Sequence, residues 1–453
     1  KVILINPDSS ISSRKAYKRF VAPVPPVGIA YIASALEKHG NKVIIIDQYA
    51  DGTSNKDVIE KIRYEKPGLI GFSCLTPVMS NVKILVDEIR LLKNKMTIVL
   101  GNIHPTVFAD QVIRQNMADI VVRGEGEDSM LEIVSAMEHN DNLEAIKGIS
   151  YCKNGGIFHN PAREIPENLD ELPYPAWHLF NLDNYKSFPL LCLYETVLPI
   201  AASRGCPYRC TFCSQDKIYK KPRYRKTENV LNEIEYVISK FRIRTIGFSD
   251  AYFPFSIQHG LEFFETFIKK GFNKKIRWIT ESRVDLVNRE LLKKMKEAGL
   301  YLIMYGFESG NQEILDSINK KTTLEQAIRA MKYTKEAGIY SLGLFIMGMP
   351  METRKTCEDT IRFAKELNPD MAKFNIAVPY PGSKLYETYK KTSNIINESE
   401  RFMSWCDWFG SASNPIFVPT GMTGNELVNL QRKAMFQFYM RFTQVKNLSL
   451  IHI

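Results

Sequence analysis

The chain has 453 residues, 45% of them hydrophobic and 24% charged, which excludes a mainly disordered protein and exceeds one compact core, so two or three domains are expected. Its 60 Lys and Arg against 50 Asp and Glu leave a formal net charge of +10. The lysines are scattered in short pairs such as Lys269-Lys270 and Lys320-Lys321, the pattern of a wetted surface and not of a nucleic-acid groove. No window approaches the ~20 apolar residues that cross a bilayer, and the chain opens on a strand without a signal peptide, so a cytoplasmic location is expected. Of eight cysteines, three are bunched and five scattered (Cys74, Cys152, Cys192, Cys357, Cys406), which reads as a metal site plus buried thiols in a reducing compartment.

From Lys1 to about Ala136, short apolar runs alternate with amphipathic helical stretches: KVILIN, VGIAYIASALEKHG, KVIIID, a helix near Asp57 to Tyr64, GLIGFS, a helix near Asn81 to Lys93, TIVLGN, DIVVRG and EDSMLEIVSAME. Buried strands joined by helices predict a parallel, doubly wound sheet of flavodoxin-like order. Ligands of such sheets sit beyond the carboxyl ends of the strands, which points to the loops PPVG (25–28), SCLTP (73–77), GNIHPT (101–106) and RGEGE (123–127). Turn formers and small polar side chains there let the backbone approach a large ligand. No G-x-G-x-x-G follows the first strand, so a dinucleotide is not expected.

These residues resemble the cobalamin-binding domain at the amino end of cobalamin-dependent radical S-adenosylmethionine (SAM) enzymes. The resemblance implies cobalamin contacts from Pro26, Gly28, Ser73, Leu75, Thr76, Asn102, His104, Gly124 and Glu125. Asn6-Pro7-Asp8 stands where better-known cobalamin modules carry Asp-x-His-x-x-Gly, so an imidazole axial ligand is not expected. A single His104 without a partner His or Cys is more often a hydrogen-bonding loop residue than a ligand.

Residues 146–195, rich in Pro and aromatics around Leu169 to Trp177, predict an extended, wrapping connector. Then comes the strand LPIAAS and at once RGCPYRCTFC, with Cys206, Cys210 and Cys213 spaced x3 and x2. Three thiolates on one loop hold three irons of a four-iron cluster and leave the fourth iron open for a substrate. The competing zinc site would recruit Cys192 and lacks a second Cys pair. The spacing matches the radical SAM superfamily.

Downstream, TIGFSD, IRWITES, YLIMYGFES, SLGLFIMG and AKFNIAVP each alternate with helical stretches, and with LPIAAS they make six βα-type units. The resemblance implies a partial (β/α)6 radical SAM barrel with its chemistry at the carboxyl ends of the strands. It further implies SAM contacts from Phe212 against the adenine, Ser249 and Asp250 at the methionine amino group, Arg283 at its carboxylate, Glu308 at the ribose, and Ile346 and Gly348 beside the adenine. Each alone also reads as a helix cap or a salt-bridged turn. Tyr252, Glu281 and Tyr305 are weak substrate-side candidates, the two tyrosines equally readable as core aromatics, and no catalytic residue is assigned. The expected division is 1–145 cobalamin-binding type, 146–195 connector, 196–390 barrel, and 391–453 a helical extension with Trp405, Trp408, Phe409 and a helix from Asn425 to about Val445.

The resemblance implies an anaerobic enzyme with a [4Fe-4S] cluster, SAM and cobalamin, served by an electron donor such as flavodoxin or ferredoxin. The expected reaction is methylation of an unactivated carbon of a small molecule or lipid. Radical cyclisation, oxidation or rearrangement without methyl transfer is the alternative. Transfer-RNA methylthiolation stands lower, because only Cys74 precedes Cys152 where that family has three cluster cysteines.

Overall fold

The computed structural model describes residues 1–9, 23–92, 95–186, 195–392 and 415–441. The chain forms two compact units. The first comprises Lys1–Phe188 with Ser214–Arg225, and the second Pro189–Cys213 and Lys226–Asn394 with the carboxyl-terminal segment.

In the first unit seven strands form one sheet in the order β2-β1-β3-β4-β5-β6-β7. They are β1 (Val2–Asn6), β2 (Val43–Asp47), β3 (Leu69–Ser73), β4 (Thr97–Gly101), β5 (Ile120–Val122), β6 (Ile149–Lys153) and β7 (Gly156–His159). The first five are parallel, as the flavodoxin-like reading expects. Alternation explains the double winding. Ile3 and Ile5 of β1 enter one core with α2 (Asn55–Glu65) and α3 (Met79–Arg90), while Val2 and Leu4 enter the other with α1 (Val27–Lys38) and α4 (Glu127–His139).

The expected boundary at 145 falls inside this unit. β6 and β7 pair antiparallel and extend the sheet beyond β5. Their turn residues Asn154 and Gly155 both have positive φ (52° and 76°), the geometry that Asn-Gly hairpins favour. The connector belongs to this unit as far as Phe188. Trp177 is fully buried, Ala176 N–H donates to Ala30 C=O (3.0 Å), and Tyr185 donates to the buried Asp47 carboxylate (2.8 Å). That burial holds Asp47 above the usual carboxylate range, with the bond from Tyr185 acting against it.

The second unit is a six-stranded parallel sheet in strict sequence order: β8 (Val197–Ile200), β9 (Thr245–Phe248), β10 (Arg277–Ser282), β11 (Leu300–Glu308), β12 (Tyr340–Met347) and β13 (Met371–Ile376). β8 and β13 are its unpaired ends, the open arrangement of a partial barrel. The connecting helices are α5 (Thr227–Phe241), α6 (Ile257–Lys269), α7 (Arg289–Glu297), α8 (Leu324–Glu336) and α9 (Arg354–Leu367). Alternate strand residues face them. Trp278 stacks on Phe264 of α6 at 4.6 Å, and the Tyr305 hydroxyl shares a 3.0 Å hydrogen bond with Thr334 of α8. The opposite set, including Glu281, Met304, Leu344, Ile346 and Asn375, is less buried and forms the sheet's other face.

The expected carboxyl-terminal helix is α10 (Gly424–Tyr439), which ends well before Val445. It covers the free edge of β13. The Tyr439 hydroxyl donates to Ala372 C=O (2.8 Å) and accepts from Ala372 N–H (3.1 Å), and Gln431 donates to Phe374 C=O (2.9 Å). Unpaired edge groups are thereby satisfied by side chains. Trp405, Trp408 and Phe409 lie outside the described residues. No described helix is long and apolar enough to cross a membrane.

Candidate active site

The cysteine loop leaves β8 through Ala201 to Arg204 and turns at Gly205, whose φ of 88° suits glycine. Cys206 and Cys210 are partly exposed, Cys213 is exposed, and none is in a disulfide. Among the described residues no three His, Cys, Asp or Glu side chains converge closely enough to hold a metal ion. The remaining described thiol of this unit, Cys357, is fully buried, and burial with the neighbouring Glu352 pushes its pKa up. No fourth thiol therefore joins the loop among the described residues.

A charged group stands at the carboxyl ends of β10 and β11. Glu308 ends β11 with a left-handed φ of 63°, at a break in the β11–β12 register between Gly306 and Glu308. A bulge and a strained backbone together re-aim this side chain. It forms a buried ion pair with Lys320 at 2.8 Å, the two side chains 9% and 10% exposed. Gly306 leaves room for the pair: a Cβ there would lie 2.5 Å from Glu308 Oε1 and 2.9 Å from Lys320 Nζ. Burial pushes the Cys210 thiol above its ordinary pKa, Lys320 and Arg283 pull it down, and Glu308 opposes them.

Glu281 of β10 lies on the sheet's non-helical face with open surface. Desolvation raises its pKa, Glu308 adds to the rise, and Lys320 opposes it. Phe212 and Ile346 pack on one apolar cluster with Ile314, Ile318, Met349 and Leu385. Gly348 has φ 88° and a Cβ there would meet Leu427 Cδ2 at 2.6 Å, so two independent constraints demand glycine. Its N–H and that of Met349 donate to the fully buried Glu352, whose pKa burial raises to about 7.

In the first unit the loops beyond β3, β4 and β5 are joined. Asn102 donates to Ser73 Oγ (3.0 Å), Thr106 donates to Asn102 C=O (2.8 Å) and accepts from Gly124 N–H (3.3 Å). Leu75 is half-buried, and Pro26 caps α1 in an extended conformation. A Cβ on Gly28 would meet nothing within 4 Å among the described residues.

A model of the radical SAM superfamily matches residues 200–364, and one of the B12 binding domain matches residues 17–134. A Pyrococcus horikoshii protein named an uncharacterized methyltransferase is 33% identical over 445 residues, 97% of this chain and 93% of its own length. The chain belongs to the radical SAM superfamily and carries a B12 binding domain. This radical SAM enzyme is also 30% identical to the anaerobic magnesium-protoporphyrin IX monomethyl ester cyclase of Cereibacter sphaeroides, over 92% of the chain and 67% of the relative. In fold it matches the radical SAM methyltransferase TsrM of Kitasatospora setae with a TM-score of 0.72 and 17% identity, over 99% of this chain and 90% of that one.

Several residues singled out in this radical SAM enzyme from its sequence stand differently in space. Asp250 turns back, accepting from Ala202 N–H and the Ser203 hydroxyl, so it braces the segment entering the cysteine loop; burial raises its pKa to about 7. Ser249 Oγ donates to Ile200 C=O (3.3 Å). The Arg283 fork, the geometry a carboxylate ligand would use, is taken by Asp285 (3.0 and 3.1 Å). Tyr305 is a fully buried core residue facing α8, and Tyr252 is buried edge-on to Tyr208 at 5.8 Å. Glu125 is spent on a buried ion pair with Arg223. His104 is 2% exposed, bonded through Nδ1 to Thr76 Oγ1 (3.2 Å) and held neutral by burial, which lowers its pKa to about 3. Lys320 and Tyr208 were missed. The doublet Lys320-Lys321 looks like surface charge, and only its 8% exposure and its carboxylate partner mark Lys320 as internal.

Proposed function

We propose that this enzyme holds a four-iron cluster on Cys206, Cys210 and Cys213, cleaves SAM there to a 5′-deoxyadenosyl radical, and uses cobalamin to methylate an unactivated carbon of a small molecule or lipid. The observation that carries it is the loop of three cysteines outside any disulfide, with no fourth thiol beside it among the described residues, its Cys210 held against the strap that carries Lys320. When bound, the cluster supplies an electron to the SAM sulfonium and the corrinoid supplies the methyl group.

The chain's own residues divide the remaining work. Phe212 and Ile346 offer an apolar wall for a purine, and Glu308 an acceptor for ribose hydroxyls. Glu281, open on the sheet's non-helical face, is our candidate for the substrate side, with desolvation and the Glu308 charge raising its pKa. The small polar Ser73, Asn102, Thr106 and Gly124, with the uncovered Gly28, fit a large ligand above the first sheet. His104, neutral and bound to Thr76, serves as a hydrogen-bonding loop residue. An electron donor such as flavodoxin or ferredoxin completes the set.

A second reading is radical ring closure or oxidation without methyl transfer, favoured by the 30% identity to a cyclase. Anaerobic reconstitution with cobalamin and SAM bearing a deuterated methyl group separates the two. About four irons per chain, bound corrinoid, 5′-deoxyadenosine and a deuterated product are expected. Deoxyadenosine with an unlabelled product would favour the second reading. Retention of iron by the Cys206→Ala, Cys210→Ala, Cys213→Ala triple variant would sink the cluster assignment.

A further inference from the structure

Residues 318–321 form a short strap on the cysteine loop. Thr211 N–H donates to Ile318 C=O (3.0 Å), Asn319 Nδ2 donates to Arg209 C=O (2.8 Å), and the Cys210 thiol points at Asn319 C=O (3.8 Å). Arg283 clamps the strap by donating through Nη2 to Lys320 C=O (3.1 Å) and Lys321 C=O (3.5 Å). The same guanidinium lies 3.5 Å over the ring of Tyr208, inside the cysteine loop. Asn319 and Lys321, on either side of Lys320, both adopt left-handed φ of 55°. Two such non-glycine residues persist only where surrounding contacts over-determine them. Their effect is to turn Lys320 inward to Glu308 in place of the solvent.

We infer that Lys320 is a positioning residue: the strap delivers its ammonium between the Glu308 carboxylate and the cysteine loop, so that it both orients Glu308 and sets the charge beside the cluster. The inference rests on the cluster reading above. The strap residue before Lys320 meets the Cys210 thiol (3.8 Å) and the Lys320 ammonium is buried against Glu308, so a positive charge held here favours the reduced state of a cluster on the loop. Gly306 is then required at its place by the volume of the ion pair and not by backbone conformation.

The test uses full-length, cluster-reconstituted protein and three variants, Lys320→Met, Lys320→Arg and Glu308→Gln. The readouts are iron content, the cluster midpoint potential by redox-poised electron paramagnetic resonance, and the Kd of S-adenosylhomocysteine as an uncleaved probe. Lys320→Met is expected to lower the potential and weaken probe binding roughly tenfold or more. Lys320→Arg restores the potential. Glu308→Gln weakens binding but raises the potential, since it removes an anion. Opposite signs in the two variants distinguish an electrostatic role from loosening of the loop, which would move both the same way. An unchanged potential and Kd in Lys320→Met overturn the inference. If that variant does not retain iron, a Glu308→Gln potential that stays or falls overturns it instead. A wild-type protein that takes up no four-iron cluster would defeat the underlying reading, a separate result.

Discussion

Gly306→Ala tests the packing of the candidate site most directly. Gly306 does not occupy the left-handed region, so an alanine costs the backbone nothing; the whole effect comes from a methyl placed 2.5 Å from Glu308 Oε1 and 2.9 Å from Lys320 Nζ. Neither end can stay. Removing one partner of a buried pair costs about 3–5 kcal/mol, and a methyl that displaces the pair without deleting it costs less, about 2 kcal/mol. For a unit of this size that corresponds to a fall in melting temperature of roughly 4–8 °C. Scanning calorimetry on the full chain, with hydrogen exchange of β11 peptides to assign the transition, measures it. In a Glu308→Ala, Lys320→Ala background the same substitution is expected to cost under about 0.5 kcal/mol, because the atoms it strikes are gone. An equal loss in both backgrounds would refute the role given to Gly306.

Asp250 makes stability depend on pH with a definite sign. Its pKa rises from 3.8 to about 7 on folding, so between those values the native state holds a proton that the unfolded chain has lost, and stability falls as pH rises through this window. The full swing is of order 4 kcal/mol. Asp250→Asn is expected to flatten that part of the pH–stability profile relative to the wild type, leaving the contribution of Glu352, and an unchanged slope would contradict it. Tyr439→Phe removes both hydrogen bonds to Ala372 and uncovers the edge of β13, at about 1–3 kcal/mol. Faster amide exchange confined to β13 and α10 is the expected signature.

The sequence by itself determined the element types, their order and the cysteine loop. Strands such as KVILIN and GLIGFS carry unbroken apolar runs (2–5 and 69–72) because both faces are covered, and the helices between them repeat at a helical period; both patterns are local and survive in one dimension. The β6–β7 hairpin was missed within the segment expected to be an extended connector, although Asn154-Gly155 is a turn signal.

Only the tertiary structure decided which charges meet. A carboxylate at a strand end reads alike whether it takes a buried ammonium as its partner, as Glu308 does, or turns back to brace a neighbouring strand's exit, as Asp250 does. Lys320 and Lys321 are identical neighbours in sequence, and the left-handed residues on either side of Lys320 send it inward. Arg283 reaches Lys320 across 37 positions and Glu125 meets Arg223 across 98, separations over which no periodicity carries information. The reason is physical: periodicity encodes which face is buried, whereas the partner of a buried charge is set by where distant strands end.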